Sequence, residues 1–166
     1  RRVGLVAGDG SREAGLKALL AKGANVHTRY TATDHNKAET ILMEAASRGY
    51  VDLVTLLVEN GAMVEAADGL GMTALSYAVL SADGTESART LLGLGARQQA
   101  PVVDGKGTNQ TMLFAAVGSG RLDTARLLSE HGADVNAPDW DGITPLMTAA
   151  RNGKADVVAL PLDKGA

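Results

Sequence analysis

Apolar and polar positions alternate along this chain with the period of a helix rather than that of a strand. In "YVDLVTLLVENGA" the residues Leu53, Val54, Leu56 and Leu57 recur at helical spacing, with Asp52, Thr55 and Glu59 between them. Such spacing lays one apolar stripe along one helix face. "RLDTARLLSEHGA" repeats the pattern with Leu122, Ala125, Leu127 and Leu128, and "REAGLKALLAKGANVH" reads as the same helix near the start. Each stretch contains Gly-Ala, and Gly adopts the left-handed conformation that stops a helix at little cost. A different kind of helix precedes these. "ILMEAASRG", "ALSYAVLSADG", "MLFAAVGSG" and "PLMTAARNG" each follow a Thr able to cap the first turn, the last with Pro at its first helical position. Paired alanines in three of the four leave a thin face on which neighbouring helices can approach.

The two helices recur as a unit, and a fixed period is the mark of a repeat architecture. Gly-Ala stands at Gly23, Gly61, Gly95, Gly132 and Gly165, at spacings of 38, 34, 37 and 33. Thr-x-Leu begins at Thr40, Thr73, Thr111 and Thr144, at spacings of 33, 38 and 33. From each Thr to the following Gly-Ala the distance is 21, 22, 21 and 21 residues, so the helix pair is the near-constant part. The stretches from Gly-Ala to the next Thr, of 17, 12, 16 and 12 residues, carry the insertions.

"GADVNAPDWDGITPLMTAARNG", beginning at Gly132, resembles an ankyrin repeat. It matches the Gly-Ala-Asp-Val-Asn, Asp-x-x-Gly-x-Thr-Pro-Leu and Ala-Ala-x-x-Gly elements in order, and these recur in register four times. The resemblance implies an all-α ankyrin-repeat solenoid of stacked helix-turn-helix units joined by short β-hairpin-like loops. It implies one domain over 1–166, with units at about 1–30, 31–68, 69–104, 105–139 and 140–166. There are departures. Pro of Thr-Pro-Leu is replaced by Ile41, Ala74 and Met112. The usual His after Leu is Met43, Ser76, Phe114 and Met147, which removes a turn-stabilising hydrogen bond. "RRVGLVAGDG" is a poor match for a first helix, and Pro161 within "VVALPLDKGA" predicts a kinked or frayed final helix. An interior Pro costs a helix about 3 kcal/mol.

Composition narrows the picture further. Hydrophobic residues make up 45% but aromatics only 3%, with one Trp and one Phe, so the core must be built from Ala, Leu and Val. A net charge of -3 offers no basic field for nucleic acid. The lack of cysteine excludes disulfides, thiolate metal sites and cysteine nucleophiles. With no signal sequence and no apolar run of about 18 to 20 residues, the expectation is a cytoplasmic protein without a membrane partner. Because the chain opens without Met, a trimmed fragment of something larger is also expected.

Searches for chemistry return turns and loops. Asp134, Asn136, Asp139, Asp141 and Gly142 resemble a calcium loop in composition. Counted from Asp134 the template's Gly and Glu positions fall on Asp139 and Pro145, and from Asp139 on Thr144 and Ala150, so neither frame fits. His27, His35 and His131 share no helical spacing, and His131 reads as a helix-end residue favoured by the dipole. "VGSGRLD" around Ser119 has neither the Gly-x-Ser-x-Gly spacing of a nucleophile elbow nor the Gly-Lys-Ser/Thr of a phosphate loop. Gly120 aligns instead with Gly49 and Gly153 as the turn between paired helices. No catalytic residue, metal or cofactor is expected, and the chain does not read as an enzyme.

The resemblance implies a non-catalytic protein-binding or scaffolding module that uses hairpin tips and a concave helix face. Its partner would be another protein or a neighbouring domain, met by a monomer. Trp140, four positions before Thr144, is the leading contact candidate, since Trp is enriched in binding hot spots. Asp141, Ile143, Arg151 and Asn152 share its face. Corresponding positions in the preceding units are Leu70, Met72, Tyr77, Leu80 and Ser81; Asn109, Gln110, Phe114 and Ser119; and Glu44, Ser47 and Arg48. Leu70 and Met72 are expected exposed at a tip, while Tyr77 and Phe114 have the alternative of filling gaps between first helices. The insertions at 31–38 and 100–110 read as tolerated length rather than recognition fingers, since added loop costs little closure entropy. An alternative function is a regulatory array of a larger enzyme that senses a small ligand or nucleotide, with Arg29, Tyr30, Lys37 and Arg48 as a thin candidate set.

Overall fold

A computed structural model of the chain describes residues 10–30, 38–103, 109–139, 141–151 and 153. Along the chain run α1 (Gly10–Ala21), β1 (Arg29–Tyr30), β2 (Glu39–Thr40), α2 (Ile41–Ser47) and α3 (Val51–Glu59). They are followed by α4 (Ala74–Leu80), α5 (Thr85–Gly93), β3 (Val102–Val103), β4 (Asn109–Gln110), α6 (Met112–Gly118), α7 (Leu122–Glu130) and α8 (Pro145–Arg151). The helices following Thr stack on one another, α2 on α4, α4 on α6 and α6 on α8. The helices ending at Gly-Ala form a second layer, α1 on α3, α3 on α5 and α5 on α7. The result is an all-α repeat solenoid, in which each element buries its stripe only against neighbours.

Small side chains make the stacking possible. Ala45, Ala78, Ala116 and Ala149 occupy the same place in successive first helices and all are buried. Behind them lie Leu53, Val54 and Leu57, then Leu91 and Leu92, then Leu127 and Leu128. Among the described residues the Gly-Ala pair ends each second helix, as its sequence required. Gly61 has φ 89° and Gly132 φ 86°, and the next residue's N–H closes back across the turn. Ala62 donates to Leu57 O at 2.9 Å, and Ala133 to Leu128 O at 3.0 Å. Of the alanines in these pairs Ala62 and Ala96 are buried, Ala133 is half-buried and Ala24 is exposed.

Threonine caps three of the first helices. Thr40 Oγ1 accepts from Met43 N at 3.3 Å, Thr111 Oγ1 from Phe114 N at 3.1 Å and Thr144 Oγ1 from Met147 N at 3.3 Å. The α4 start differs: Ser76 Oγ accepts from Thr73 N at 3.2 Å, and Thr73 Oγ1 finds no partner among the described residues. The same unit holds the extra residue of the 22-residue spacing. Three residues join α2 to α3 and α6 to α7, but four, Ser81 to Gly84, join α4 to α5. The shorter turns use a left-handed glycine, Gly49 or Gly120, whereas Gly84 keeps φ -84° and lies against the backbone of Ala78.

The two longer connections are those that become hairpins. Arg29 pairs with Thr40 and Tyr30 with Glu39; Val102 pairs with Gln110 and Val103 with Asn109. The inserted loop tips at 31–37 and 104–108 lie outside the described residues, as do residues 1–9 of the poor first-helix match "RRVGLVAGDG" and the kink or fraying expected at Pro161.

Candidate functional site

Counting from the capping Thr shows which side of each first helix stacking leaves open. The second, third, fifth and sixth residues after Thr40, Thr73 and Thr111 are buried without exception. The seventh and eighth never are: Ser47 and Arg48, Leu80 and Ser81, Gly118 and Ser119 are half-buried or exposed, and Arg151 continues the row in α8. Glu44 and Tyr77, one turn earlier, are half-buried and widen the stripe. Because i and i+4 lie on the same helix face, these residues form one continuous strip across the stacked helices.

At the edge of this strip the short junctions fold into matching turns. Asp68 N donates to Met72 O at 2.9 Å, and Asp68 Oδ1 accepts from Leu70 N at 2.8 Å and Met72 N at 2.9 Å. Asp139 repeats this: its N donates to Ile143 O at 2.9 Å, and its Oδ1 accepts from Asp141 N and Ile143 N, both at 2.9 Å. A short acidic side chain satisfies backbone donors that the tight turn leaves unpaired. The Asp-Gly density seen in the sequence is therefore turn chemistry, with the Asp139 carboxylate engaged by its own loop.

Tyr77 ties two units together. Its hydroxyl lies 2.8 Å from Asp68 Oδ2 and 3.0 Å from Glu39 Oε1. The phenol carries one hydrogen, donated to one carboxylate at a time. Burial, with the hydrogen bonds to Asp68 and Glu39, pushes the phenol's pKa well above its usual value. Arg29 fastens the same two loops from outside, donating Nη1 to Ala38 O at 3.0 Å and to Ala67 O at 2.7 Å. Further along, Arg121 Nη2 donates to Leu80 O, at the C-terminal end of α4 where carbonyls lack helical partners.

The contact candidates are sorted by this arrangement. Arg48 is exposed and paired with Glu44, which raises its pKa through their hydrogen bond. Leu70 and Leu80 are half-buried, as are Ile143 and Gln110, while Asp141 and Arg151 are exposed. Asn109 lies in β4, paired with Val103. One expectation needs correction. Met72 is 3% exposed, because its backbone bonds to Asp68 place it at the base of the turn, not its tip. Phe114 is 7% exposed, which favours its alternative reading as a gap filler over that of a surface contact. Trp140 and Asn152 lie outside the described residues.

The nucleotide-sensing set does not converge. Arg29 is turned to backbone carbonyls, Arg48 to Glu44, and Tyr30 pairs with Glu39 in the hairpin. Lys37 falls outside the described residues. His131 caps α7, its ring Nδ1 2.9 Å from Leu127 O. Among the described residues no three His, Cys, Asp or Glu side chains converge as a metal site, and no helix is long and apolar enough to cross a membrane. Glu39, Asp68 and Arg121 were not anticipated. Asp68 had a signal, as the Asp of an Asp-x-x-Gly-x-Thr element, whereas Glu39 and Arg121 meet partners in a neighbouring unit that no local pattern announces.

Comparison with known proteins gives consistent matches. The family model described as ankyrin repeats (3 copies) matches residues 5–102 and 97–166. The ankyrin repeat and KH domain-containing protein mask-1 of Caenorhabditis elegans is 35% identical over 143 residues, covering 86% of this chain but only 5% of that protein. A putative ankyrin repeat protein of Rickettsia bellii is 30% identical over 141 residues, covering 85% of this chain and 76% of its own length. Cyclin-dependent kinase inhibitor 2A of Monodelphis domestica is 32% identical over 143 residues, 86% of this chain and 80% of the inhibitor.

Proposed function

The chain belongs to the ankyrin repeat family, a family of protein-binding repeat modules, and from that premise we propose that it is a non-catalytic module that grips a protein along the open strip. The partner lies across the first helices, against Glu44, Arg48, Tyr77, Leu80 and Arg151, and reaches the turn tips at Leu70 and Trp140–Ile143. The carrying observation is the division of labour within each first helix. In α2, α4 and α6 four positions are committed to stacking while the seventh and eighth stay open, and Arg151 in α8 is open at the seventh. The tips beside the strip are held by carboxylate-to-backbone bonds and by Tyr77 and Arg29, so little ordering entropy is spent on binding. One relative is named as an inhibitor of a cyclin-dependent kinase, which supports action by binding.

The test is affinity capture with two charge-altered variants, both checked for native helix content. One carries Arg48→Glu, Trp140→Ala and Arg151→Glu on the strip and its tip. The other carries Glu86→Lys, Asp123→Lys and Glu130→Lys on exposed positions of the second helices. Loss of the captured protein by the first alone is the expected result. Equal retention by both variants, or loss by the second alone, refutes the strip as the binding face.

A further inference from the structure

The junction between the α4–α5 pair and the α6–α7 pair is held differently from the one before it. Register from each Gly-Ala places Thr85 where Val51 and Leu122 stand, Gln98 where Val64 and Val135 stand, and Thr124 where Leu53 stands. All three polar residues reach across this one junction. Thr85 Oγ1 lies 2.7 Å from Thr124 Oγ1, and Gln98 Nε2 donates to His131 O at 2.9 Å. Arg121 Nη2, donating to Leu80 O, spans the same junction. Two of these side chains keep a buried atom, Gln98 Oε1 and Arg121 Nε, that finds no partner among the described residues. A carbonyl can only accept, so turning the Gln98 amide would lose its bond to His131 O rather than satisfy its oxygen. The packing is thinner as well. α4 meets α6 less extensively than α2 meets α4 or α6 meets α8, and α5 meets α7 less than α3 meets α5. Two grooves follow the junction. One, of about 440 Å³, lies between Arg89 and Arg126, and the other, of about 490 Å³, between Leu92 and Leu113. The chain itself crosses through the 16-residue connection, against 12 residues at the preceding junction.

We propose that this junction is a seam at which the array opens, while α2 to α5 on one side and α6 to α8 on the other keep their own packing. A hydrogen bond within the chain replaces one to water and contributes little net, and a buried polar atom without a partner opposes closure. Apolar contact at the same register would have favoured closure. Opening gives water to Gln98 Oε1 and Arg121 Nε, and the hydroxyls of Thr85 and Thr124 exchange each other for solvent. The preceding junction is fastened instead by Tyr77 between Asp68 and Glu39, and by Arg97 N donating to Glu65 Oε1 at 2.9 Å. Leu80, whose carbonyl Arg121 holds, belongs to the open strip, so opening divides the strip between Leu80 and Ser119. On the reading of the strip as the binding face, a protein lying across both blocks closes the seam. The seam itself does not rest on that reading.

The chain has no cysteine, so single introduced thiols can read the opening. Thr124→Cys places one at the seam, and Ser87→Cys places one in the same register a unit earlier. Both positions are 0% exposed, so a thiol reagent reaches them only through opening. Each rate is divided by that of the same variant in full denaturant, which removes differences in intrinsic reactivity. Thr124→Cys should then label about tenfold or more faster than Ser87→Cys in native buffer. Its rate should change little in low urea, because parting one interface exposes little surface, whereas Ser87→Cys labels steeply as urea approaches the unfolding transition. A second variant guards against a cysteine that itself loosens the fold. Gln98→Val restores the residue type of positions 64 and 135, and in the Thr124→Cys background it should slow labelling about fivefold or more. It should leave the Ser87→Cys rate unchanged. Equal labelling of the two sites, or the steep urea dependence of global unfolding at both, overturns the seam. So does Gln98→Val without effect on the Thr124→Cys rate. No partner is present in these reactions, so their failure leaves the strip as binding face to be judged by affinity capture alone.

Discussion

Gly84 is the residue whose replacement should most clearly separate packing from backbone conformation. Its φ -84° and ψ -8° are open to any L-amino acid, so Gly84→Ala introduces no left-handed strain. Taken alone, the loss of unfolded-state freedom would stabilise the variant by about 0.4–1 kcal/mol. The surroundings oppose this. A Cβ at Gly84 would lie 2.0 Å from Ala78 O, 2.7 Å from Ala78 C and 2.9 Å from Ala78 Cα, all closer than the 3.0 Å that real side chains respect. The atoms met are backbone and cannot swing aside. Relief requires the α4–α5 turn or the end of α4 to move by about 1 Å, and Ala78 is itself fully buried in the helix stack. Overpacking of this kind costs about 1–3 kcal/mol, leaving a net loss of about 1–2 kcal/mol. For a chain of this size that lowers the thermal midpoint by about 2–8 °C. Gly93→Ala is the control: it lies in α5, and a Cβ there meets nothing within 4 Å, so it should gain up to about 1 kcal/mol. Gly49→Ala should be worse than Gly84→Ala, since φ is +71° and Asp83 O would lie at 2.4 Å. Thermal and urea unfolding followed by circular dichroism reads all three. A Gly84→Ala variant as stable as the wild type would refute the close approach of the turn to Ala78.

Other substitutions probe the strip and the core. The phenol of Tyr77, raised above its usual 10.0, makes a contribution that is present below that pH and lost as pH rises through the raised value. Urea midpoints of Tyr77→Phe should therefore decline less steeply than wild type above about pH 10; parallel curves would contradict the assignment. Asp68→Ala strands the buried Met72 N–H, leaves the Tyr77 hydroxyl with Glu39 as its acceptor, and should cost about 1–3 kcal/mol. Asp139→Ala leaves donors that water can reach and should cost less than about 1 kcal/mol, so equal losses in denaturant titration would undercut the distinction. Leu91→Ala, at a fully buried site, should cost about 2–5 kcal/mol, against less than about 1 kcal/mol for the 40% exposed Leu94→Ala, both read from urea midpoints.

Hydrophobicity and position make different forecasts along the first helices, and position prevails. The period, the capping threonines and the Gly-Ala closures were legible because each answers a backbone requirement that few residue types meet. Gly132 must adopt φ 86°, and Thr111 must offer an oxygen to Phe114 N. Which side chains face outward was less legible, since it depends on what the next unit places against them. Ser76 is polar and fully buried; Met147 is apolar and 58% exposed; both stand third after a Thr. Met72 reads as a tip residue by its place before Thr73, yet Asp68 draws its backbone to the base of the turn. Glu39 and Tyr77 stand 38 residues apart, so no local pattern announces their contact. The extra residue in the 22-residue spacing was countable, but only the approach of Gly84 to Ala78 shows where it is absorbed. In a stacked array a residue's environment belongs to the interface between units. The offset from the capping Thr, together with the presence of a following helix, therefore decides burial more reliably than the residue's own polarity.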